Sequence, residues 1–249
     1  MFEKNLYVIS GAHGSGKSTL VKRVSDHLKE TGVPFVSVSE VARLCPYPVG
    51  EKSTSLAQQW ILYHQAFTEI ILGQLRLPVI LDRCVVDHYS YYIHWNAGPE
   101  IFLESFLDRY QRVFKLPARR EFLVSDGLRP IDIEYQRKID RVITAMYGKS
   151  DRGKDWYVNL DPTKDESIAL VEREVRRYTK GVSSLVRWPD LGEVVNGELE
   201  IVSTLDSESV SGIIASILSF CGTSGYIVRV INAPDSIKKH LVEQGLVNT

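Results

Sequence analysis

The sequence predicts an α/β protein of three layers, a parallel sheet with helices on both faces, followed by a small C-terminal α/β appendage. Three observations predict it. Short apolar runs rich in branched residues alternate with longer segments of helical period through residues 1–180. The first run leads at once into a glycine-rich octet that opens a helix. The chain has 249 residues, of which 44% are hydrophobic and 24% charged, enough to bury one large core and too apolar for a disordered segment.

Strands are read at residues 6–10, 35–39, 79–82, 122–125 and 156–160, each ending where a polar residue could emerge at the carboxyl edge of the sheet, where sites of α/β proteins lie. Helices are read at 19–30, stopped by Gly32, and at 55–75. The second places Leu56, Trp60, Ile61, Phe67, Ile71 and Leu75 along one stripe expected to pack on the sheet. Further helices are read at 85–95, 100–114, 132–147 and 165–179, separated by Gly or Pro. The turn-rich run from Arg187 to Gly192 marks a boundary, dividing the chain into a domain of residues 1–180 and an appendage of 181–249. In the appendage, strand, helix, strand and helix are read at 198–204, 207–220, 226–232 and 235–244.

The net charge is −1, which disfavours a generic polyanion binder. The distribution is uneven: residues 181–249 carry four basic and eight acidic residues, while 109–141 carry nine basic and five acidic. The three cysteines, Cys45, Cys84 and Cys221, form no CxxC pair, so each reads as a buried free thiol in a reducing, cytoplasmic protein. The amino terminus lacks a secretory pattern, and no apolar stretch reaches the ~20 residues of a membrane span.

Gly11-Ala12-His13-Gly14-Ser15-Gly16-Lys17-Ser18 fits G-x-x-x-x-G-K-[ST] between a strand and a helix. Glycines there let backbone approach phosphate, and successive amides together with the helix start at Thr19 face anionic oxygens. Lys17 neutralises β/γ charge, and Ser18 offers an oxygen to Mg²⁺. No Asn-Lys-x-Asp guanine motif occurs. The strand Val79-Ile80-Leu81-Asp82 is followed by Arg83 where motor-type ATPases carry Asp-Glu, so transfer to a bound acceptor fits better than hydrolysis.

These residues resemble P-loop kinases of the nucleoside and nucleotide group, among them deoxynucleoside kinases, thymidylate kinases and ribosylnicotinamide-kinase-like ATPases. The resemblance spans roughly residues 5–180. It rests on the octet, on Glu40-Val41-Ala42-Arg43, on Leu81-Asp82-Arg83, and on Asp126-Gly127-Leu128-Arg129 followed by a helix bearing Arg137 and Arg141. It implies a P-loop NTPase fold with ATP and Mg²⁺ as cofactors. It also implies that Asp82 contacts the metal with Ser18 or acts as base, that Arg83 steadies acceptor or phosphate, and that Glu40 orients or deprotonates an acceptor hydroxyl while Arg43 binds a substrate anion. The chain departs from the deoxynucleoside kinase pattern by reading Asp82-Arg83-Cys84 in place of Asp-Arg-Ser.

Arg129, with Arg137 and Arg141 four residues apart on a helix, forms a candidate lid over the nucleotide; the alternative is a solvated face of i,i+3 and i,i+4 ion pairs. Arg119 and Arg120 are weaker candidates. Among Tyr89, Tyr91, Tyr92, His94 and Trp95, one or two rings are expected to reach an acceptor pocket, and the rest to pack. The loop starting at Cys45-Pro46-Tyr47-Pro48 either covers that pocket or is a rigid connector. The sequence therefore points to an Mg²⁺- and ATP-dependent phosphotransferase with a small acceptor, a nucleoside or nucleotide, in a chain open to homo-oligomerisation. The alternatives are a regulatory ATPase that switches a protein partner, or a kinase of a nucleic-acid end or modified base.

Overall fold

The computed structural model describes residues 4–31, 33, 35–73, 78–95, 101–123, 132–152, 156–182, 194–195, 198–202 and 227–231. Five strands, β1 (Leu6–Ser10), β2 (Val36–Val38), β3 (Val79–Asp82), β4 (Tyr110–Lys115) and β5 (Tyr157–Asn159), form one sheet in the order β2-β3-β1-β4-β5. All its pairings are parallel, so every crossover must traverse a face of the sheet. Helices α1 (Lys17–Glu30), α2 (Ser55–Leu72), α3 (Val85–Trp95), α4 (Ile101–Leu107), α5 (Ile133–Gly148) and α6 (Asp165–Val182) provide the cover.

Alternation along β1 divides the core. Leu6 and Val8 belong to the apolar cluster that includes Leu62 and Ala66 of α2, Val86 of α3, Phe106 of α4 and Ile139 of α5. Tyr7 and Ile9 belong to a second cluster, with Leu20, Val24 and Leu28 of α1 and Val171 and Val175 of α6. The result is the three-layer arrangement expected from the sequence.

Two expectations fail in the middle of the chain. The helix read at 100–114 ends at Leu107, and the fourth strand is Tyr110–Lys115 instead of 122–125. Helical spacing of Leu103, Phe106, Leu107 and Tyr110 concealed a helix-to-strand change, and the β-branched and aromatic pair Val113-Phe114 takes the buried sheet position between β1 and β5. Phe122 closes a short 3₁₀ turn, Arg120–Phe122, while residues 124–130 lie outside the described ones.

The stripe assigned to α2 is also wrong in part, for Leu56 and Phe67 are exposed. The buried face is Ala57, Gln58, Ile61, Leu62, Gln65, Ala66 and Glu69, and Leu75 lies beyond the described residues. The other helices fall within a few residues of their expected bounds, α1 beginning at Lys17 and α6 running to Val182.

Beyond α6, strands β6 (Val194–Val195), β7 (Glu198–Val202) and β8 (Ile227–Ile231) form a separate sheet. β6 and β7 are antiparallel, and β7 and β8 parallel. The helices expected at 207–220 and 235–244 lie outside the described residues, as does Cys221. Cys84 is buried, but Cys45 is only half-buried. Among the described residues no helix is long and apolar enough to cross a membrane.

Candidate active site

The central strand β1 delivers residues 11–16 to the carboxyl edge of the sheet, where the chain turns into α1. Gly11, Gly14 and Gly16 have φ of 147°, 61° and 89°, conformations that side chains disfavour. At Gly11 the reason is also spatial, since a Cβ would stand 2.7 Å from the Leu116 carbonyl oxygen. At Gly14 a Cβ would stand 2.9 Å from Leu123 Cδ1, so the segment after β4 backs the loop closely.

Side chains outside the octet fix the loop. Asp87 of α3 accepts hydrogen bonds from the Ser10 hydroxyl at 2.8 Å and the Gly11 amide at 2.9 Å through one oxygen, and from the Cys84 amide at 3.0 Å through the other. It thus joins the start of the loop to the start of α3. Tyr147 donates to Ser10 Oγ at 3.0 Å, the His13 amide donates to the Tyr91 hydroxyl at 2.8 Å, and Gln136 Nε2 donates to the His13 carbonyl at 2.6 Å. None of these four anchors, Asp87, Tyr91, Gln136 and Tyr147, belongs to a linear motif. Of the four only Tyr91 was marked in the sequence, as one of the aromatic residues expected to reach the pocket.

Lys17 is buried, and its Nζ donates to the Ala12 carbonyl at 2.5 Å and to Ser15 Oγ at 3.2 Å. Burial, then the nearby Arg83 charge, lowers its pKa to about 7, against the opposing pull of Asp82, Glu40 and Asp87. Ser18 Oγ donates to Asp82 Oδ2 at 2.5 Å, bringing the first turn of α1 to the end of β3. Burial, then Glu40, raises the Asp82 pKa, and its Oδ1 is buried without a hydrogen-bond partner. Magnesium takes one or two protein oxygens and otherwise water and phosphate, so Ser18 Oγ and an orphaned carboxylate oxygen side by side are a fitting donor set. Accordingly no three-ligand cluster is needed, and none occurs among the described residues.

Arg83, next along the chain, has a φ of 78°, the only positive value at a non-glycine among the described residues. The β-edge holds it there: its amide donates to the Ile9 carbonyl at 3.1 Å, and its carbonyl accepts from Gln65 Nε2 at 3.4 Å. The turned backbone directs the guanidinium away from the sheet to Glu40, with Nε 2.6 Å from Oε1 and both side chains more than nine-tenths buried. It also lies 5.2 Å from the centre of the Tyr91 ring. Burial opposes the Arg83 charge, but Glu40 and its neighbours outweigh that and raise the pKa.

This pair lies in the wall of an open cleft, which Arg43, Gln58, His88, Tyr91 and Tyr135 also line. Of the aromatic group read from the sequence, Tyr91 reaches the cleft, Tyr89 is core, Tyr92 is half-buried against the core and His94 is exposed. His88 joins Tyr91 in the cleft and stays neutral, because burial and then the Arg83 charge lower its pKa to about 3. The loop after Cys45 sends Val49, Gly50 and Ser53 to the rim, so it borders the cleft.

The structure therefore brings together residues 11–18, Glu40, Arg43, Asp82 and Arg83. Thr19 is exposed on the first turn of α1. Arg137 and Arg141 are exposed on α5, and Arg137 pairs with Glu134 at 2.8 Å in i,i+3 fashion, the pattern of a solvated face. Arg129 lies outside the described residues. Arg119 pairs with Asp161 at 2.8 Å beside Phe122, linking the loops that follow β4 and β5.

A family model described as an AAA domain matches residues 6–156, well over half of the chain. The chain belongs to the AAA domain family. That match takes in every residue of the loop and cleft named above and stops short of the appendage. An adenylate kinase from Chlamydia caviae is 23% identical to this AAA domain protein over 208 residues, covering 79% of this chain and 91% of that one. A structure of deoxyadenosine kinase from M. mycoides with the products dCMP and a flexible dCDP covers 72% of this chain and 100% of that chain, with 16% identity and a TM-score of 0.45. Another, with bound dATP, covers 69% and 98%, with 18% identity and a TM-score of 0.46. The resemblance to P-loop nucleoside and nucleotide kinases drawn from the motifs is borne out by the family match and the adenylate kinase relative.

Proposed function

We propose that this AAA domain protein is an Mg²⁺- and ATP-dependent phosphotransferase whose acceptor is a nucleoside, a nucleotide or a similar small molecule. The observation that carries the reading is the buried Glu40–Arg83 pair, standing between the phosphate loop and an open cleft. A hydrolase needs only water at that point. A buried carboxylate paired with a guanidinium suits a bound acceptor, whose reacting group it orients.

The amides of residues 11–18 and the start of α1 hold the triphosphate, and Lys17 exchanges the Ala12 carbonyl for phosphate oxygens, regaining full charge. Ser18 and Asp82 would hold Mg²⁺, which would supply charge neutralisation of the triphosphate. Glu40 accepts a hydrogen bond from the acceptor and takes up its proton if the nucleophile is a hydroxyl. Arg83 stays protonated throughout and stabilises the equatorial oxygens as charge redistributes. Phosphoryl transfer asks little covalent chemistry of the protein, so alignment and charge neutralisation account for the catalysis.

The test is incubation of the full chain with γ-labelled ATP, Mg²⁺ and a panel of nucleosides, nucleoside monophosphates, vitamin-like ribosides and oligonucleotides. Label moving to one small acceptor, with little free phosphate, is the expected result. Acceptor-independent release of phosphate would replace this reading with a regulatory ATPase, and salt-sensitive labelling of oligonucleotides would replace it with a nucleic-acid kinase.

A further inference from the structure

Three successive backbone polar groups at the turn after β3 are each held by a side chain. The Arg83 carbonyl accepts from Gln65 Nε2 at 3.4 Å, the Cys84 amide donates to Asp87 at 3.0 Å, and the Val85 amide donates to Glu69 Oε1 at 2.8 Å. The Asp87 contact is local, an acidic residue in the first turn of α3 reaching back to the residue before the helix. Gln65 and Glu69 come instead from α2, one turn apart on its buried side, and Gln65 also donates to Glu69 at 2.9 Å. Tyr110, the first residue of β4, donates to the other Glu69 oxygen at 2.8 Å.

A carboxyl group is costly in that place. Glu69 is fully buried, and the groups that hydrogen-bond to it are an amide, a carboxamide and a phenol, all neutral. Capping of α3 does not require it, since Asp87 already serves the first turn. What it fastens is the one positive-φ turn of the described chain outside glycine, Arg83 at 78°, a conformation that persists only where the surroundings over-determine it. That turn directs the guanidinium to Glu40 and the cleft.

We propose that Glu69, with Gln65 and Tyr110, is a positioning residue that fixes the turn at residues 83–85 and so aims Arg83 past Glu40 at the acceptor. The inference rests on the phosphotransfer reading of the cleft. Glu69 does not line the cleft, so it acts through Arg83. A displacement of about 1 Å in an aligned site lowers turnover by as much as about 10²-fold, which is the scale expected when the turn relaxes.

Kinetics and crystal structures of full-chain variants test it. Glu69→Leu fills the space without bonding Val85, and is expected to lower acceptor-dependent kcat about 10²-fold while ATP affinity and the number of ATP sites per chain stay unchanged. In its crystal structure Arg83 is expected to leave its positive φ and to draw away from Glu40. Gln65→Met loses the contact to the Arg83 carbonyl and is expected to show the same split at several-fold, so it carries the test if Glu69→Leu does not fold. Glu69→Gln, assayed at about pH 6 where burial keeps the wild-type carboxyl neutral, is expected to restore turnover to within about threefold of the wild type. Wild-type turnover in folded Glu69→Leu would overturn the proposal, as would reduced turnover with Arg83 unmoved, a matching loss of ATP sites, or no rescue by glutamine. A wild type that labels no acceptor would defeat the phosphotransfer reading, while the Arg83 conformation in the variants still decides whether Glu69 sets the turn.

Discussion

Lys17 places an ammonium where water is scarce, which lowers its pKa to about 7 while the phosphate site holds no anion. A bound triphosphate favours the charged form, so binding of metal-free ATP at pH 8 is expected to take up close to one proton, falling toward none below pH 6. Titration calorimetry in buffers of different ionisation enthalpy measures that number, and uptake that does not change with pH would remove Lys17 as its source. Lys17→Ala is expected to leave the fold intact and to lower transfer about 10²–10³-fold, because it removes an electrostatic contact to the transferring group. Asp82 and Glu40 separate by position. Asp82→Asn, beside Ser18, is expected to reduce transfer to every acceptor and to shift the Mg²⁺ optimum. Glu40→Gln, facing the cleft, is expected to spare ATP affinity and reduce acceptor-dependent turnover. Kinetics of each variant with varied ATP, metal and acceptor decide this, and equal loss of ATP affinity in both would contradict it.

At the scale of elements, the site depends on how α2, α3 and β4 are fastened together. Glu69 is buried in α2 and accepts hydrogen bonds from the Val85 amide at 2.8 Å, Gln65 at 2.9 Å and the Tyr110 hydroxyl at 2.8 Å. Burial nonetheless raises its pKa to about 7. The folded protein therefore holds a proton between about pH 4.5 and 7 that the unfolded chain releases, so this group's contribution to stability is complete below that window and is lost as pH rises through it. Glu69→Gln keeps an oxygen acceptor for Val85 and is expected to melt like the wild type near pH 4.5 and at higher temperature above pH 7. Melting curves across that range check the sign. In the loop, Gly11→Ala meets both a disfavoured φ and the Leu116 carbonyl, and is expected to cost about 2–4 kcal/mol of stability by denaturant unfolding.

For the whole molecule, the five-stranded sheet and six helices already enclose both apolar clusters, and every residue of the loop and cleft lies before the end of α6. We therefore propose that the chemistry resides in residues 1–180. A fragment ending after Val182, which keeps α6 whole, is expected to bind ATP and to retain phosphotransfer. Nucleotide binding and transfer measured on that fragment decide the matter, and binding without transfer would place an acceptor-holding element in the remaining segment.

The sequence by itself determined the parts of this protein that are written locally. A tight phosphate-binding turn needs glycines at fixed offsets, and a lysine and a serine at the start of a helix, so residues 11–18 could be read in order. Buried parallel strands need continuous apolar runs, so β1 and β3 were evident, while Glu40 and Asp82-Arg83 were picked out by the resemblance to P-loop kinases. Only the tertiary structure decided that β4 lies at Tyr110–Lys115, because a short apolar segment satisfies helical and strand spacing alike until its neighbours choose. It alone also decided which side of α2 is buried, for an apolar helix has no hydrophilic face to orient it. It brought Asp87, Tyr91, Gln136 and Tyr147 to the phosphate loop from as many as 137 positions away, as in the Tyr147–Ser10 contact. Such hydrogen bonds leave no periodic trace in a chain, since their geometry exists only once the sheet has brought the edges of distant strands together.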